Sequence, residues 1–590
     1  MVLEKVEMNT KEKIIVFLLV LGLIASFWYG RGQKPSVSGR ERVPASAAKP
    51  SSASVDANRA ASTSTPASCP SSTASAIEAP RAPERKVVLE NDLLKLELSS
   101  RGAVVKRATL KDYARNIGAV SEENPAIEFD FSSSPLGTIE GIPGLAADAD
   151  YEVESSASNA VVFVNGKLKR TYRLEGGYRL ALKEDFAADV SAPNHLSIGA
   201  IAMGASKNDV LSIDSWQIDS KGGKAIHHGE GDSPFKPFLA TGAGGCSGAP
   251  NAAGMPAVAK AFCPGAQKYV ALKNRFFVTA LANSTASNSG FEASIARDAN
   301  SQLYRPESVS AKVAFTDSSS RESLFYIGPK KQSLLWDLGM KDVMEFGMWR
   351  VICYPLVWIL NLFNSWIPNY GVAIILLTVF VRLLFWPLTH KSTVGMKKMQ
   401  ELQPKMKAIQ EKFKDNPQRM QQETFALYRE AKVNPLSSCL PMLIQIPVFI
   451  ALFNVLRSAV ELRYAGFLWI ADLSEPEALF AGVFPFGGLN ILPILMAVTT
   501  ALQSYFTPSA GDRSQQRMMM VMMPLMMLFM FYSFPSALSL YWFMSNLFSI
   551  AQMWLIRRQT AAKQSAAGAI VSPDDVIDPP VTRQMRRHHS

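Results

Sequence analysis

Hydrophobic and polar positions divide the chain into stretches of different period. Residues 14–29 are an almost unbroken apolar run (IIVFLLVLGLIASFWY) preceded by Lys11 and Lys13. The run is slightly shorter than the ~20 residues that cross a bilayer, and Trp28 and Tyr29 suit the interface at its end. No small-x-small cleavage site follows, so residues 1–30 read as a retained N-terminal transmembrane anchor rather than a removed signal peptide. Residues 31–84 are rich in Ser, Ala, Pro and Thr, with almost no aromatics. Such a stretch cannot bury enough apolar area to offset its chain entropy and reads as a disordered linker. From Lys86 the period becomes two. Strand patterns cover 88–90, 94–98, 104–110, 161–167, 171–186 (with Gly176-Gly177 as a turn), 269–281 and 310–315. No long amphipathic helix interrupts them, which predicts an antiparallel β-sandwich domain over 85–325.

After Gly328 the pattern turns helical. Residues 346–366 are amphipathic and aromatic, with Arg350 and Asn361 interrupting them, and read as an interfacial helix. Apolar runs at 370–388, 436–456, 489–506, 518–534 and 538–556 predict an α-helical membrane core of five transmembrane helices within 326–558. Between the first two runs, Met399, Leu402, Met406, Ile409 and Phe413 recur at spacings of 3, 4, 3 and 4. Lys414-Asp415-Asn416-Pro417 makes a turn, and Met420, Thr424, Leu427 and Ala431 repeat the period. This predicts an antiparallel helical hairpin over 391–433 with a narrow apolar seam.

Charge then sets the orientation. The chain has 590 residues, a net charge of +11 and 48% hydrophobic residues. The apolar residues cluster in the runs and the basic ones beside them, which suits a membrane protein rather than a reader of nucleic-acid sequence. The hairpin segment carries ten Lys/Arg, the loop before 518 carries Arg513 and Arg517, and the basic tail (559–590) follows Arg557-Arg558. The loop at 460–488 has one base, Arg463, against Glu461, Asp472, Glu475 and Glu477. Both termini are therefore expected in the cytoplasm and the β-domain on the far side of the membrane. Lys397, Lys398, Lys405, Lys407, Lys412 and Lys414 would make the hairpin a cytoplasmic docking arm for acidic lipid, ribosomal RNA or targeting factors; a merely solvated hairpin is the alternative.

The most informative single residue is Arg382, inside GVAIILLTVFVRLLFWPL. An arginine at a helix centre costs ~2.5–3.5 kcal/mol on insertion scales. It either snorkels past Pro387 to the interface or faces a wet cavity within the bundle. Among the other polar residues in the runs, Thr378, Gln445, Asn454, Gln503, Ser504, Ser545, Asn546 and Gln552 are candidates to line the same cavity. Singly such residues usually bond helix to helix; together with an arginine they point to a hydrophilic groove. Residues 518–530 hold eight Met in thirteen, which suits either a surface for varied apolar partners or lipid-facing filler. The five cysteines form no CxxC or Cys/His cluster, so no metal site is expected. Cys246 and Cys263 lie close in sequence on the outer side, as a disulfide or as two free thiols. No phosphate-binding GxxxxGK[ST] is present and no cofactor is expected. His195, His227 and His228 are the residues an enzyme in the β-domain would use, but no nucleophile or carboxylate pair accompanies them at a recognisable spacing.

The run NPLSSCLPMLIQIPVF (434–449) resembles the signature of the YidC-type membrane protein insertases, relatives of the mitochondrial Oxa-type and chloroplast Alb-type insertases. So do VRLLFWPLTHKS around Arg382, QPKMKAIQEKFKDNP opening the hairpin and FPSALSLYWFMSNLFSIAQ in the last run. More loosely, SSRGAVVKRATLKDY and YRLEGGYRL are similar to that family's periplasmic domain. Ser437-Ser438 departs from the family's usual Gly-rich pair, and the Met-rich run is atypical. The resemblance implies a non-enzymatic insertase with five core helices around a groove open to cytoplasm and lipid. In it Arg382 is the groove arginine, with Thr378 on its face. An apolar substrate segment would slide along 436–456 and 518–534, touching Pro447, Phe449, Met523, Met526 and Met530. The implied partners are nascent membrane proteins, the ribosome, the Sec translocon and membrane lipids. A transporter or channel with a polar intramembrane pathway is the alternative, and it usually shows an internal repeat, which this chain lacks.

Overall fold

The computed structural model describes residues 83–568 apart from 189, 191, 205–208, 220–221, 229–234, 236–256, 298–305, 318–319, 432–439, 481–487 and 508–512; the side chains at 397, 440–444, 513–519, 557 and 559–568 are also outside the description. The expected anchor, nearly all of the linker, the end of the tail, Lys397's side chain and Cys246 lie outside the described residues. The described residues from Arg85 onward form one packed unit.

Strands run from Lys86 to Pro329, so the β-domain continues past the expected boundary at 325. In chain order they are β1 (Lys86–Glu90), β2 (Leu94–Ser99), β3 (Val104–Ala114), β4 (Ala126–Asp130), β5 (Ile139–Glu140), β6 (Glu152–Ser156), β7 (Ala160–Asn165), β8 (Leu168–Leu174), β9 (Arg179–Phe186), β10 (Asn194–Ala202), β11 (Ser212–Gln217), β12 (Lys224–His227), β13 (Val258–Pro264), β14 (Gln267–Lys273), β15 (Phe277–Ser284), β16 (Asn288–Arg297), β17 (Pro306–Phe315) and β18 (Arg321–Pro329). They form a four-stranded sheet, β1-β2-β3-β4, a five-stranded sheet, β13-β16-β17-β10-β5, and a nine-stranded sheet, β12-β11-β14-β15-β18-β9-β8-β7-β6. Every pairing between these strands is antiparallel. The period-two pattern does what it should. In β8 (Leu168–Leu174) the inward positions are Leu168, Arg170, Tyr172 and Leu174. The turn at Gly176-Gly177 joins β8 to β9 (Arg179–Phe186), with Gly177 at φ 76°, where a side chain would be strained.

The expected strand at 269–281 is instead a hairpin, β14 (Gln267–Lys273) and β15 (Phe277–Ser284). Asn274 makes the turn: its Oδ1 accepts from the amides of Phe276 (3.1 Å) and Phe277 (2.8 Å), imitating a backbone turn inside an otherwise apolar run.

The helical half begins with α1 (Gln332–Asp337). A 3₁₀ turn at Gly347–Trp349 delays α2 to Arg350–Trp366, later than the 346 expected. The run at 370–388 is divided into α3 (Tyr370–Leu384) and α4 (Trp386–Glu401), bent by 61°. Pro387 explains the break: it donates no amide and crowds the carbonyl four residues back. The hairpin arms are α5 (Gln403–Lys412) and α6 (Pro417–Glu430), closed by an Asn416 cap on the Arg419 amide (3.1 Å). Leu427 is buried in its seam, and Tyr428 Oη donates to Met406 Sδ (3.2 Å). Then follow α7 (Leu440–Ser458), α8 (Ile491–Phe506), α9 (Arg513–Phe531) and α10 (Ser536–Gly568). α10 packs on α3 and α8, and α2 on α3 and α7. Among the described residues no single helix is long and apolar enough to cross a membrane; the bent pair α3–α4 passes by length and composition.

Candidate functional site

Arg382 sits in the last turn of α3, on the side that meets α10. Its Nε donates to Ser545 Oγ at 3.0 Å, and Nη2 donates to the same oxygen. Ser545 is buried and Arg382 half-buried. Among the described residues Arg382 makes no ion pair; a neutral hydroxyl holds it. Thr378 is buried one turn earlier, but its hydroxyl turns back to its own helix, donating to the Ile374 carbonyl (2.7 Å). Asn546, expected in the groove, fastens α10 to α8 instead: Nδ2 donates to Thr500 Oγ1 (2.8 Å) and Thr499 Oγ1 (3.3 Å). Gln552 likewise ties α10 to α4 through Thr389 Oγ1 (3.1 Å). Gln445, Asn454 and Gln503 are half-buried on α7 and α8. The structure therefore brings Arg382 and Ser545 together and assigns Asn546 to helix packing, where a buried amide needs partners.

The residues expected on the slide divide too. Phe449 belongs to an aromatic core: its ring lies 4.9 Å from Trp542, edge to face, and 6.1 Å from Phe531. Pro447 and Met523 are half-buried. Met526 and Met530 are exposed, as are Val521, Met522, Leu525 and Phe529, so α9 presents a continuous apolar face. On the hairpin, Lys398, Lys405, Lys407, Lys412 and Lys414 are exposed; Lys412 and Arg419 lie over the Phe413 ring.

A charge cluster that the sequence reading missed joins the β-domain to the segment after it: Asp214 and Lys273 are buried, His227 is half-buried and Glu345, beyond the last strand, is exposed. Lys273 Nζ meets Asp214, and Glu345 Oε1 at 3.1 Å, and donates to the Val343 carbonyl (2.7 Å). His227 Nδ1 lies 2.6 Å from both Asp214 Oδ1 and Glu345 Oε1. Asp214, His227 and Glu345 have the donor types of a metal site, but the Lys273 ammonium already sits against both carboxylates. Burial disfavours the charged imidazole, yet the two carboxylates outweigh it and raise the His227 pKa to about 10. His228 behaves oppositely: buried between Phe235 and Phe291, with Nε2 2.8 Å from Ser215 Oγ, its pKa falls to about 4. Cys263 is a buried free thiol 4.0 Å from His228 Nδ1; burial raises its pKa, so the neighbouring pair is a neutral one rather than an activated nucleophile.

A pH dependence follows from His227. Its unfolded pKa is ~6.5, so a raised folded value stabilises fully below ~6.5 and the gain disappears as pH rises toward about 10. The difference in Tm between the parent and His227→Gln is expected to be largest near pH 6 and to close by pH 10. Thermal unfolding of the detergent-solubilised chain measures it, and a constant difference across that range would contradict the cluster's charge state.

Comparison with known proteins adds to this geometry. Residues 362–564 match the family model described as 60Kd inner membrane protein, and 259–359 match the YidC periplasmic domain. The membrane protein insertase YidC of Chloroherpeton thalassium is 31% identical over 499 residues, covering 81% of this chain and 83% of that protein. That of Syntrophobacter fumaroxidans is 46% identical over 247 residues, 41% of this chain and 44% of its own length. A crystal structure of an active YidC insertase with its first transmembrane domain resolved aligns over 80% of this chain and 92% of its own at 18% identity, with a TM-score of 0.33. On the family models and the full-length relative, this chain belongs to the YidC family of membrane protein insertases.

Proposed function

We propose that the chain inserts nascent membrane-protein segments into the inner membrane without covalent chemistry, using Arg382 as a transient partner for their polar or acidic outer parts. The observation that carries this reading is the guanidinium of Arg382 among apolar helices with a neutral serine as its partner. A guanidinium has five N–H donors, and two are committed to Ser545. A passing carboxylate would therefore find both charge and free donors.

In this reading the runs at 370–388, 436–456, 489–506, 518–534 and 538–556 cross the membrane, with both termini in the cytoplasm and the β-domain in the periplasm. α3 and α8 have 15 and 16 residues, about 22–24 Å of helix against ~30 Å of hydrocarbon. The bilayer thins locally to match them, which shortens the path of a polar segment. The exposed face of α9, with Met526 and Met530, offers the apolar segment a flexible surface on its way to lipid. Burial of apolar area, ~25 cal/mol per Å², supplies the driving force. The exposed lysines of the hairpin would receive the ribosome or acidic lipid, and the Sec translocon would deliver longer substrates.

The test is site-specific photo-crosslinking from Thr378, Gln445 and Met526, one at a time, to ribosome-bound nascent chains of a single-span protein. Crosslinks from all three are expected. Absence of nascent-chain crosslinks, with protection of the same positions by a small solute, would favour a transporter instead.

A further inference from the structure

Arg275 occupies the β14–β15 turn of the β-domain and is 5% exposed, with its guanidinium 4.6 Å from the Phe276 ring centroid, yet among the described residues its guanidinium hydrogen bonds all go to the helical half. Nε donates to the carbonyl of Arg457 (2.8 Å), Nη1 to Glu475 Oε1 (2.5 Å) and Nη2 to the carbonyl of Ser474 (2.6 Å). Arg457 lies in the last turn of α7, where carbonyls have no intrahelical donor. Ser474 and Glu475 belong to the loop between α7 and α8, and that loop in turn caps α10. The Ser536 amide and hydroxyl donate to the Glu475 carbonyl (3.0 and 2.7 Å), and the Ala537 amide donates to the Leu473 carbonyl (2.9 Å). One guanidinium thus joins the end of α7 to the start of α10, the helix whose Ser545 holds Arg382.

The turn that presents it is itself fixed. Asn274 closes it, and the Arg275 amide donates to Asp209 Oδ1 (2.8 Å). A second contact braces the same junction: Arg463 Nη1 donates to the Ala114 carbonyl (2.9 Å), at the end of β3 (Val104–Ala114), and Tyr464 Oη donates to the Arg115 carbonyl (2.8 Å). Three acceptors in one fork suit arginine and not lysine, whose ammonium is a single point of charge.

We propose that Arg275 is a positioning residue for the bundle: it locks the β-domain ends of α7 and α10 together and keeps the space around Arg382 closed on that side. The meaning of that space rests on the insertase reading, but the lock is testable without an insertion assay. Ser539 is a suitable reporter, fully buried in the first turns of α10, with no partner for its hydroxyl among the described residues. In a full-length chain whose five native cysteines are replaced by Ala, Ser539→Cys is labelled with a membrane-impermeant maleimide from the β-domain side. Arg275→Ala is expected to speed labelling about tenfold through local opening, with the thermal unfolding of the β-domain unchanged. Arg275→Lys should lie nearer to Ala than to the parent. Glu475→Ala should also speed labelling, and the double variant should add less than the sum, because both residues act through one linkage. Labelling at the parental rate in Arg275→Ala overturns the proposal. Should that variant fail to accumulate, Glu475→Ala leaves the β-domain sequence intact and decides by the same two outcomes. A failed crosslinking experiment with labelling increased as expected would reject the insertase reading and leave the lock standing.

Discussion

Arg382→Ala is expected to lower insertion of substrates with acidic outer segments by ~10- to 100-fold, the equivalent of one charged hydrogen bond worth ~1.5–3 kcal/mol. Substrates with neutral outer segments should lose little. Arg382→Lys should be tolerated, because the charge remains on a flexible stem within reach of the same space. Ser545→Ala should be milder than Arg382→Ala, since it removes the hydroxyl that orients the guanidinium and leaves the charge. Protease protection of paired substrates, alike except for carboxylates in the translocated segment, measures all three variants. Equal loss for acidic and neutral substrates would assign Arg382 to helix packing.

Arg382 was legible because a charge inside an apolar run has few explanations. Ser545 stood out only as one polar residue among several, and nothing in the spacing singles it out as the partner, 163 residues away. Phe449 shows the opposite difficulty. α7 is apolar nearly all round, so hydropathy does not say which face meets lipid and which meets Trp542 and Phe531. The β-domain was readable wherever period two was clean, and misread where Asn274 hid a turn in an apolar stretch. Its buried charges left a signal that was there to use. Arg170 shares strand parity with Leu168, Tyr172 and Leu174, and Arg321 with Ser323, Phe325 and Ile327. A charged residue on the inward parity of a strand must find a partner, because burial of an unpaired ion costs too much. Arg275 offered no such signal: it lies in a turn, and its acceptors are 182 to 200 residues away.

Those inward charges carry the largest expected effect on stability. Glu184 is fully buried, and Arg170 and Arg321 grip its two oxygens. Arg170 donates to Oε1 through Nη2 (2.7 Å) and Nε (3.1 Å), and Arg321 Nε donates to Oε2 (2.6 Å). Arg321 Nη1 continues to Asn194 Oδ1 (2.8 Å) on β10 (Asn194–Ala202), so the network joins the nine-stranded sheet to the five-stranded one. Glu184→Gln leaves two buried guanidiniums without a counter-charge and should cost ~3–5 kcal/mol. For a domain of 150–250 residues that is a fall in Tm of ~6–20 °C. Burial pushes the Glu184 carboxyl up, but the two arginines outweigh it and hold it below the usual carboxylate range. A depressed folded pKa stabilises above the unfolded value of ~4.3 and loses that gain as pH falls. The gap between parent and Glu184→Gln should therefore narrow on acidification below pH ~4, the reverse of the alkaline closure expected at His227. Calorimetry of the solubilised chain at pH 7 and pH 3 reads both the size of the gap and its direction. Replacing Arg170, Glu184 and Arg321 together with apolar residues of similar volume should recover most of the loss, because no uncompensated ion remains. A triple variant as unstable as Glu184→Gln would mean that the network's hydrogen bonds to Gly102, Ala103 and Asn194, rather than its charge balance, hold the sheets together.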